Sequence, residues 1–131
     1  MKTAGKVLLD TNVVVAHFRN DPDLIARLAD VATLYLPWVV LGELHFGAQR
    51  SQQREEAVAQ IHDFLRIAAL LLPDENTAEH YGRVKAELAQ IGKPIPDNDI
   101  WIAALARQYD LPLATRDRHF TLVRQLKTLP W

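Results

Sequence analysis

A short apolar strand that ends at an acid constrains the fold of this chain more than any other feature. Residues 7–9 (Val-Leu-Leu) have the length and branching of a strand that is buried on both faces. Asp10 follows at the point where such a strand leaves the sheet, and residues 13–18 then have a helical pattern. In an open α/β sheet, ligands bind beyond the carboxyl ends of the strands. The sequence therefore predicts an α/β fold with a binding site beside Asp10.

Short apolar segments alternate with amphipathic helical patterns along the rest of the chain. Further strands are predicted at residues 33–36, 68–72 and 111–114, and a short one at 126–129 would make a fifth. Helices are predicted at residues 22–31, 37–50, 54–67, 77–91, 98–109 and 117–123. This alternation indicates a single domain over residues 1–131, with a central, mostly parallel sheet of four to five short strands flanked by helices.

Composition excludes several classes of protein. Hydrophobic residues make up 49% of the 131 residues, yet no apolar run approaches the roughly 20 residues of a membrane span. The absence of cysteine excludes disulfides and thiolate zinc sites, and favours the cytoplasm. With a net charge of −1, affinity for nucleic acid would need a local basic patch or bound cations. Residues 115–127 carry four bases and one acid, which fits such a patch or a solvated face.

Four acids lie beside the hydrophobic segments that should meet at one edge of the sheet: Asp10, Glu43, Asp99 and Asp117. Glu43 shares a predicted helical face with apolar positions 36, 39, 40 and 46, so it should point to the interior or to a cleft. A core salt bridge, or a side chain bent to water, would also explain it. The three aspartates could instead cap the helices that follow them. For Asp99 that alternative is weakened, because Asp97 or Asn98 could cap the same helix.

Four carboxylates that converge on one point repel one another unless a cation lies between them. Carboxylate clusters suit Mg²⁺ or Mn²⁺, which can activate a water and offset charge on a phosphate. Thr11, Asn12 and Thr115 could hold a metal-bound water or a phosphate oxygen. The five histidines show no metal-ligand spacing, so we expect none of them to be a ligand: His17, His45, His62, His80 and His119. These residues predict a metal-dependent site that cuts a phosphodiester.

Four segments in this order resemble the motifs of PIN-domain proteins. They are residues 8–12 (LLDTN), 41–47 (LGELHFG), 97–106 (DNDIWIAALA) and 113–120 (LATRDRHF). Within that family the chain is similar to the VapC-type toxins of bacterial type II toxin–antitoxin pairs. The resemblance implies an endoribonuclease that depends on Mg²⁺ or Mn²⁺, with its acids at the carboxyl edge of a parallel sheet.

The same resemblance assigns roles to the acids. Asp10 and Asp99 match the principal metal ligands, and Glu43 and Asp117 match the acids that complete the site through water or a second ion. It also implies a homodimer that an antitoxin neutralises by entering the active-site groove. The chain departs from the pattern at Pro37, where a small hydroxyl residue is common, and Asp97 is an additional acid near the site.

The leading hypothesis is hydrolysis of an RNA phosphodiester by a metal-activated water, catalysed by Asp10, Glu43, Asp99 and Asp117. Arg116 and Arg118 are the predicted contacts to RNA phosphates. One alternative is a PIN nuclease of RNA maturation, outside any toxin–antitoxin pair. Another is a phosphatase that forms an aspartyl-phosphate, although Asn12 stands where such enzymes usually carry a second aspartate. The third is a PIN module that binds RNA or protein and no longer cuts.

Overall fold

The computed structural model describes residues 4–131, which form one sheet of five strands flanked by helices. The strands are β1 (Ala4–Leu9), β2 (Val31–Pro37), β3 (Ala68–Leu71), β4 (Leu113–Ala114) and β5 (Thr128–Leu129). The helices are α1 (Thr11–Phe18), α2 (Pro22–Ala29), α3 (Trp38–Gln49), α4 (Arg54–Phe64), α5 (Glu75–Gln90) and α6 (Asp97–Tyr109), and a 3₁₀ helix spans Arg118–Leu122.

All of these strands are parallel, and their order in the sheet is β3-β2-β1-β4-β5. The predicted α/β class and the sheet of four to five strands are therefore confirmed. The chain builds outward from β1 to β2 and β3, then returns to place β4 on the other side of β1. Leu9 pairs with Ala114, so Asp10 and Thr115 leave the sheet side by side. This reversal of strand order is the place where open α/β sheets bind ligands.

The core explains why these segments adopt these elements. Val7, Leu8 and Leu9 are fully buried in the central strand, as their continuous apolar run predicts. Removing each such side chain from water stabilises the fold by about 1.5–3 kcal/mol. Helix α6 buries Ile100 and the whole run 102–106, which agrees with its nearly all-apolar sequence. Phe120 is also fully buried, and it fixes the segment that follows β4 against this core.

Several predicted boundaries differ from the structure. Val31 was predicted on the face of a helix, but α2 ends at Ala29 and Val31 begins β2, where it pairs with Ala4. Helix α4 ends at Phe64, three residues before the predicted end at residue 67. Helix α5 begins at Glu75 rather than at residue 77, because Asp74 and Thr77 form a reciprocal capping box that satisfies the first turn.

The C-terminal elements are shorter than predicted. Strand β4 covers two residues instead of 111–114, and β5 covers two instead of 126–129. The predicted helix at 117–123 is a five-residue 3₁₀ helix. Each of the two β4 residues pairs with β1 on one side and with β5 on the other, so even this short strand joins β5 to the sheet.

Candidate active site

A cleft of about 810 Å³ opens at the carboxyl edge of the sheet, beside the end of β1. Four different elements supply the predicted acids, and the structure places all of them in the wall of this cleft: Asp10, Glu43, Asp99 and Asp117. Thr11, Asn12 and Arg116 also line it, together with Arg19, Asp21 and Asp97. The residues brought together span more than 100 positions of the sequence. Their chemical roles stay predictions.

Asp10 lies deepest in the cleft, with 4% of its surface exposed. Its Oδ1 accepts a hydrogen bond of 2.8 Å from the backbone N–H of Thr11, so it also caps α1. The Thr115 hydroxyl donates to Oδ2 over 2.6 Å. Burial raises the pKa of Asp10, and the charge of Asp117 raises it further, although the Thr115 and Thr11 hydrogen bonds act in the opposite direction. The aspartate is held by neutral donors at one end of the cleft.

Glu43 approaches Asp10 from helix α3. Its Oε1 accepts a hydrogen bond of 3.1 Å from the Thr11 hydroxyl. Burial raises the pKa of Glu43, and the charges of Asp10 and Asp99 contribute in the same direction. The predicted apolar face was partly wrong, because α3 buries Val40, Leu44 and Ala48 while Phe46 is 64% exposed. Glu43 therefore lies at the border of the buried stripe and faces the cleft, and within the described residues it forms no salt bridge to an arginine.

Asp99, Asp117 and His119 form the opposite side of the site. One ligand atom from each of these residues lies within 4.8 Å of the others. The Nε2 atom of His119 is 2.7 Å from Oδ2 of Asp99, and Nδ1 is 3.3 Å from Oδ1 of Asp117. Although the first contact is short, Nε2 is buried without an aligned hydrogen-bond acceptor. Burial raises the pKa of Asp99 and the charge of Asp10 adds to this, whereas His119 lowers it.

The capping alternatives for two of the aspartates are wrong. Pro96 precedes the first turn of α6, and no side chain caps this helix, so neither Asp97 nor Asn98 has the predicted capping role. Asp99 is turned into the cleft. Asp117 occupies the position before the 3₁₀ helix but makes no capping hydrogen bond there, and its backbone N–H donates to the Thr115 hydroxyl over 3.0 Å.

The two arginines predicted to contact phosphate have different surroundings. Arg116 donates from Nη2 to Asp21 over 2.8 Å and from Nε to the carbonyl of Trp131 over 2.6 Å. Its backbone N–H donates to Asn12 Oδ1 over 3.2 Å, so the Asn12 side chain supports the loop after β4. Arg118 is exposed and lies outside the residues that line the cleft.

Sequence reasoning missed two residues. The histidine spacing predicts that no histidine is a metal ligand, yet His119 lies between Asp99 and Asp117. The signal that could have found it is its place two residues after Asp117, in a segment anchored by a large aromatic residue. Arg19 lines the cleft with its side chain exposed. Its spacing from Asn12, seven residues or about two turns of α1, could have placed both on one helix face.

The donor set suits a hard divalent cation. Within residues 4–131, no lysine or arginine forms an ion pair with any of the four cleft acids, and His119 is the one basic residue within ion-pair distance of them. The pKa values of Asp10, Glu43 and Asp99 are all raised, because burial and mutual repulsion disfavour their charged forms. Oxygen ligands held close together without a protein cation fit Mg²⁺ or Mn²⁺.

No helix within the described residues has the length and apolarity needed to cross a membrane.

Comparison with known proteins agrees with this geometry. The PIN domain family model matches residues 7–126. Ribonuclease VapC2 of Haemophilus influenzae is 36% identical over 129 residues, an alignment that covers 96% of this chain and 98% of the relative. The tRNA(fMet)-specific endonuclease VapC of Shigella flexneri is 33% identical, with coverage of 96% and 98%.

Solved structures agree as well. A DNA-bound VapBC of Salmonella typhimurium contains a chain that superposes with a TM-score of 0.88 at 28% identity, covering 95% of this chain and 96% of that one. VapBC-1 of nontypeable Haemophilus influenzae gives a TM-score of 0.86 at 29% identity, with coverage of 96% and 98%. The resemblance inferred from four short motifs is confirmed over nearly the whole length. The chain therefore belongs to the PIN-domain family, and within it to the VapC group.

Proposed function

We propose that this protein is an endoribonuclease that depends on Mg²⁺ or Mn²⁺ and acts as the toxin of a VapBC-type toxin–antitoxin pair. The observation that carries this is the convergence of four acids on one cleft, where none of them forms an ion pair with a lysine or arginine of the described residues: Asp10, Glu43, Asp99 and Asp117. The names of the relatives, which are ribonucleases and a tRNA endonuclease, support RNA as the substrate class. In this proposal residues 1–131 are one domain, and the cytoplasm is its location.

Asp10 and Asp99 are the residues proposed to hold the ion, and Glu43 and Asp117 would complete the site through water or a second ion. When bound, the ion would lower the pKa of a water and offset the charge that develops on the phosphate. It would also let an acidic cleft accept an anionic substrate, which the carboxylates alone would repel.

The side chains around the acids position them and the substrate. Thr115 and the backbone N–H of Thr11 hold both oxygens of Asp10, and the Thr11 hydroxyl holds Glu43. These hydrogen bonds fix the carboxylates before substrate arrives, so little reorganisation is needed. Glu43, half-buried and with a raised pKa, is suited to accept a proton from the attacking water. Arg19 and Arg118 are exposed cations available to RNA phosphates, whereas Arg116 is engaged with Asp21.

The test is cleavage of single-stranded RNA and tRNA by purified protein with Mg²⁺, with Mn²⁺ and with EDTA. We expect cleavage with either ion, none with EDTA, and a loss of about 10²–10³-fold in Asp10→Asn, as is usual when one electrostatic group leaves an active site. Asp63→Asn is the matched control, because that aspartate is 73% exposed in its side chain and lies outside the cleft. Equal activity of Asp10→Asn and the wild type would contradict the mechanism. RNA binding without cleavage under either ion would favour the silent binding module.

The toxin role needs a separate test. The structural neighbours described above are VapBC complexes, which supports an antitoxin partner. Expression of the chain alone should arrest growth, and co-expression with a small gene directly upstream should restore it. Asp10→Asn should be harmless without the partner. RNA cleavage without growth arrest would favour the alternative of an RNA-maturation nuclease. The homodimer that the family resemblance implies is part of this proposal, and light scattering of the purified chain should give twice the mass of one chain.

A further inference from the structure

We propose that His119 is a nitrogen ligand of the divalent ion, and that Asp99, Asp117 and His119 make this site select Mn²⁺ and later transition metals over Mg²⁺. The sequence pattern and the family motifs assign only carboxylates to the ion. The inference rests on the proposed function in one respect, since both require a divalent ion in the same cleft.

The first support is the placement of the two imidazole nitrogens. Nε2 lies 2.7 Å from Asp99 Oδ2 but has no aligned hydrogen-bond partner, although it is buried from water. An imidazole nitrogen and a carboxylate oxygen this close repel each other unless a proton or a cation lies between them, and no ring N–H is aligned with that oxygen. Adjacent ligand atoms on an octahedral ion with bonds of about 2.1 Å stand about 3.0 Å apart, which is close to the observed separation. Nε2 and Asp99 Oδ2 are thus spaced as neighbouring ligands of one ion.

The second support is the contact between Asp117 and the other nitrogen of the His119 ring. Its Oδ1 lies 3.3 Å from Nδ1 of His119, on the other side of the ring from Asp99. Metal-binding histidines commonly present their second nitrogen to a carboxylate, which fixes the orientation of the ring and makes the ligating nitrogen more basic. Asp117 can fill this role, which leaves Nε2 and Asp99 as neighbouring ligands of the ion.

The third support is the anchoring of the segment that carries His119. The next residue, Phe120, is fully buried, and its ring centroid lies 4.9 Å from that of the histidine. The backbone N–H of Asp117 is tied to Thr115, which in turn donates to Asp10. The imidazole is therefore held by the core and by the same network that holds the carboxylates, as a preorganised ligand requires.

A nitrogen ligand changes which ion binds best. Mg²⁺ strongly prefers oxygen, whereas affinity for a mixed nitrogen and oxygen site rises along the series from Mn²⁺ to Co²⁺ and Ni²⁺. Removing the imidazole should weaken Mn²⁺ by about tenfold or more, in the range seen when metal-site residues are changed. Mg²⁺ affinity should change less, since an amide oxygen or water can replace the nitrogen.

Pulsed electron paramagnetic resonance with Mn²⁺ alone tests the ligand directly. We expect the wild type to show the nitrogen coupling of a directly bound imidazole, and His119→Gln to lose it. His62→Gln is the control, because His62 is exposed on α4 outside the cleft, and it should keep the signal. His119→Asn is a second variant should the first not fold. A wild type without nitrogen coupling, or without bound Mn²⁺, would overturn the inference, as would a coupling that persists in both His119 variants.

Titration calorimetry with Mn²⁺, Co²⁺ and Mg²⁺ separates ligation from a structural role. Ligation predicts a larger loss of affinity for Mn²⁺ and Co²⁺ than for Mg²⁺ in His119→Gln. Equal losses for all three ions would mean that His119 only positions the carboxylates, and would contradict the proposal. RNA cleavage with Mg²⁺ tests the proposed function independently. RNA cleavage without nitrogen coupling would support the proposed function and contradict the assignment of His119 as a ligand. Nitrogen coupling without RNA cleavage would support the ligand assignment and contradict the proposed function.

Discussion

Two neighbouring acids in the first turn of α6 have opposite surroundings. Asp97 faces α5, where Lys85 donates to its Oδ1 over 3.1 Å and Tyr81 donates over 3.0 Å, and these hydrogen bonds lower its pKa. Asp99 faces the cleft, where burial and the charge of Asp10 raise its pKa. Asp97, the additional acid noted in the sequence, thus borders the cleft, but its charge is paired with that of Lys85 on α5.

The same contrast extends along the contact between α5 and α6. There Arg107 Nη1 donates to Glu87 over 2.6 Å and Nη2 over 3.3 Å, and the arginine side chain is only 8% exposed. Charges at this helix contact are paired and stabilise the fold. Among residues 4–131, the four cleft acids have no ion pair with a lysine or arginine, and gathering such charges costs stability unless an ion is bound. The contrast separates acids that have a basic partner on the neighbouring helix from acids that have none but His119, and it supports the proposal that the second group holds an ion.

The largest expected effect separates the two acids of α6. Asp99→Asn should lower RNA cleavage by about 10²–10³-fold, because it removes a charged ion ligand. Asp97→Asn should stay within about threefold, because its partners lie on α5. Initial rates at saturating Mg²⁺ measure both variants. Similar losses would show that Asp97 belongs to the site and would break the comparison.

Ion binding should stabilise the fold only through the cleft. At Mn²⁺ one hundred times its dissociation constant, the gain in unfolding free energy should be about 2.7 kcal/mol. Asp97→Asn should keep this gain, and Asp99→Asn should lose most of it. Thermal melts with Mn²⁺ and with EDTA measure the difference. An unchanged gain in Asp99→Asn would place the ion elsewhere.

Glu87→Gln should lower the unfolding free energy by about 1–3 kcal/mol at pH 7, because it leaves the buried Arg107 guanidinium without its charged partner. The hydrogen bond from Arg107 lowers the pKa of Glu87 below the ordinary glutamate value of 4.5. The stabilisation is therefore present above pH 4.5 and is lost as pH falls through the lower, folded-state pKa. Urea unfolding between pH 3 and 7 should show the variant and wild type converging in acid. Glu79→Gln, exposed on the same helix, should remain close to wild type throughout.

The smallest expected effect is on the unfolding free energy of Asp99→Asn, whose pH dependence should be opposite to that of Glu87→Gln. Burial raises the pKa of Asp99 above the ordinary aspartate value of 3.8, so its contribution to stability is complete below that pH and is lost as pH rises through the folded-state pKa. In EDTA, Asp99→Asn should therefore match the wild type near pH 4 and become the more stable of the two as pH rises. A variant that is less stable at neutral pH would show that His119 compensates the charge fully.

The sequence by itself determined the fold class and predicted the four acids that the structure places in one cleft. The buried run at residues 7–9, the apolar helix α6 and the acids that follow apolar segments follow from periodicity and parallel-sheet geometry, which are local properties of the chain. Element ends were less predictable. The start of α5 depends on a capping box, and Val31 fits a helix stripe and a strand equally well until its partner Ala4 is known.

Only the tertiary structure decided what surrounds each acid. Asp97 and Asp99 are both aspartates and lie two residues apart. Asp97 nevertheless contacts Lys85, whereas Asp99 contacts His119 and feels the charge of Asp10. Likewise, Arg116 is engaged by Asp21, which lies 95 positions away. The physical reason is that electrostatic energy depends on distance through space and on burial, and neither is set by separation along the chain.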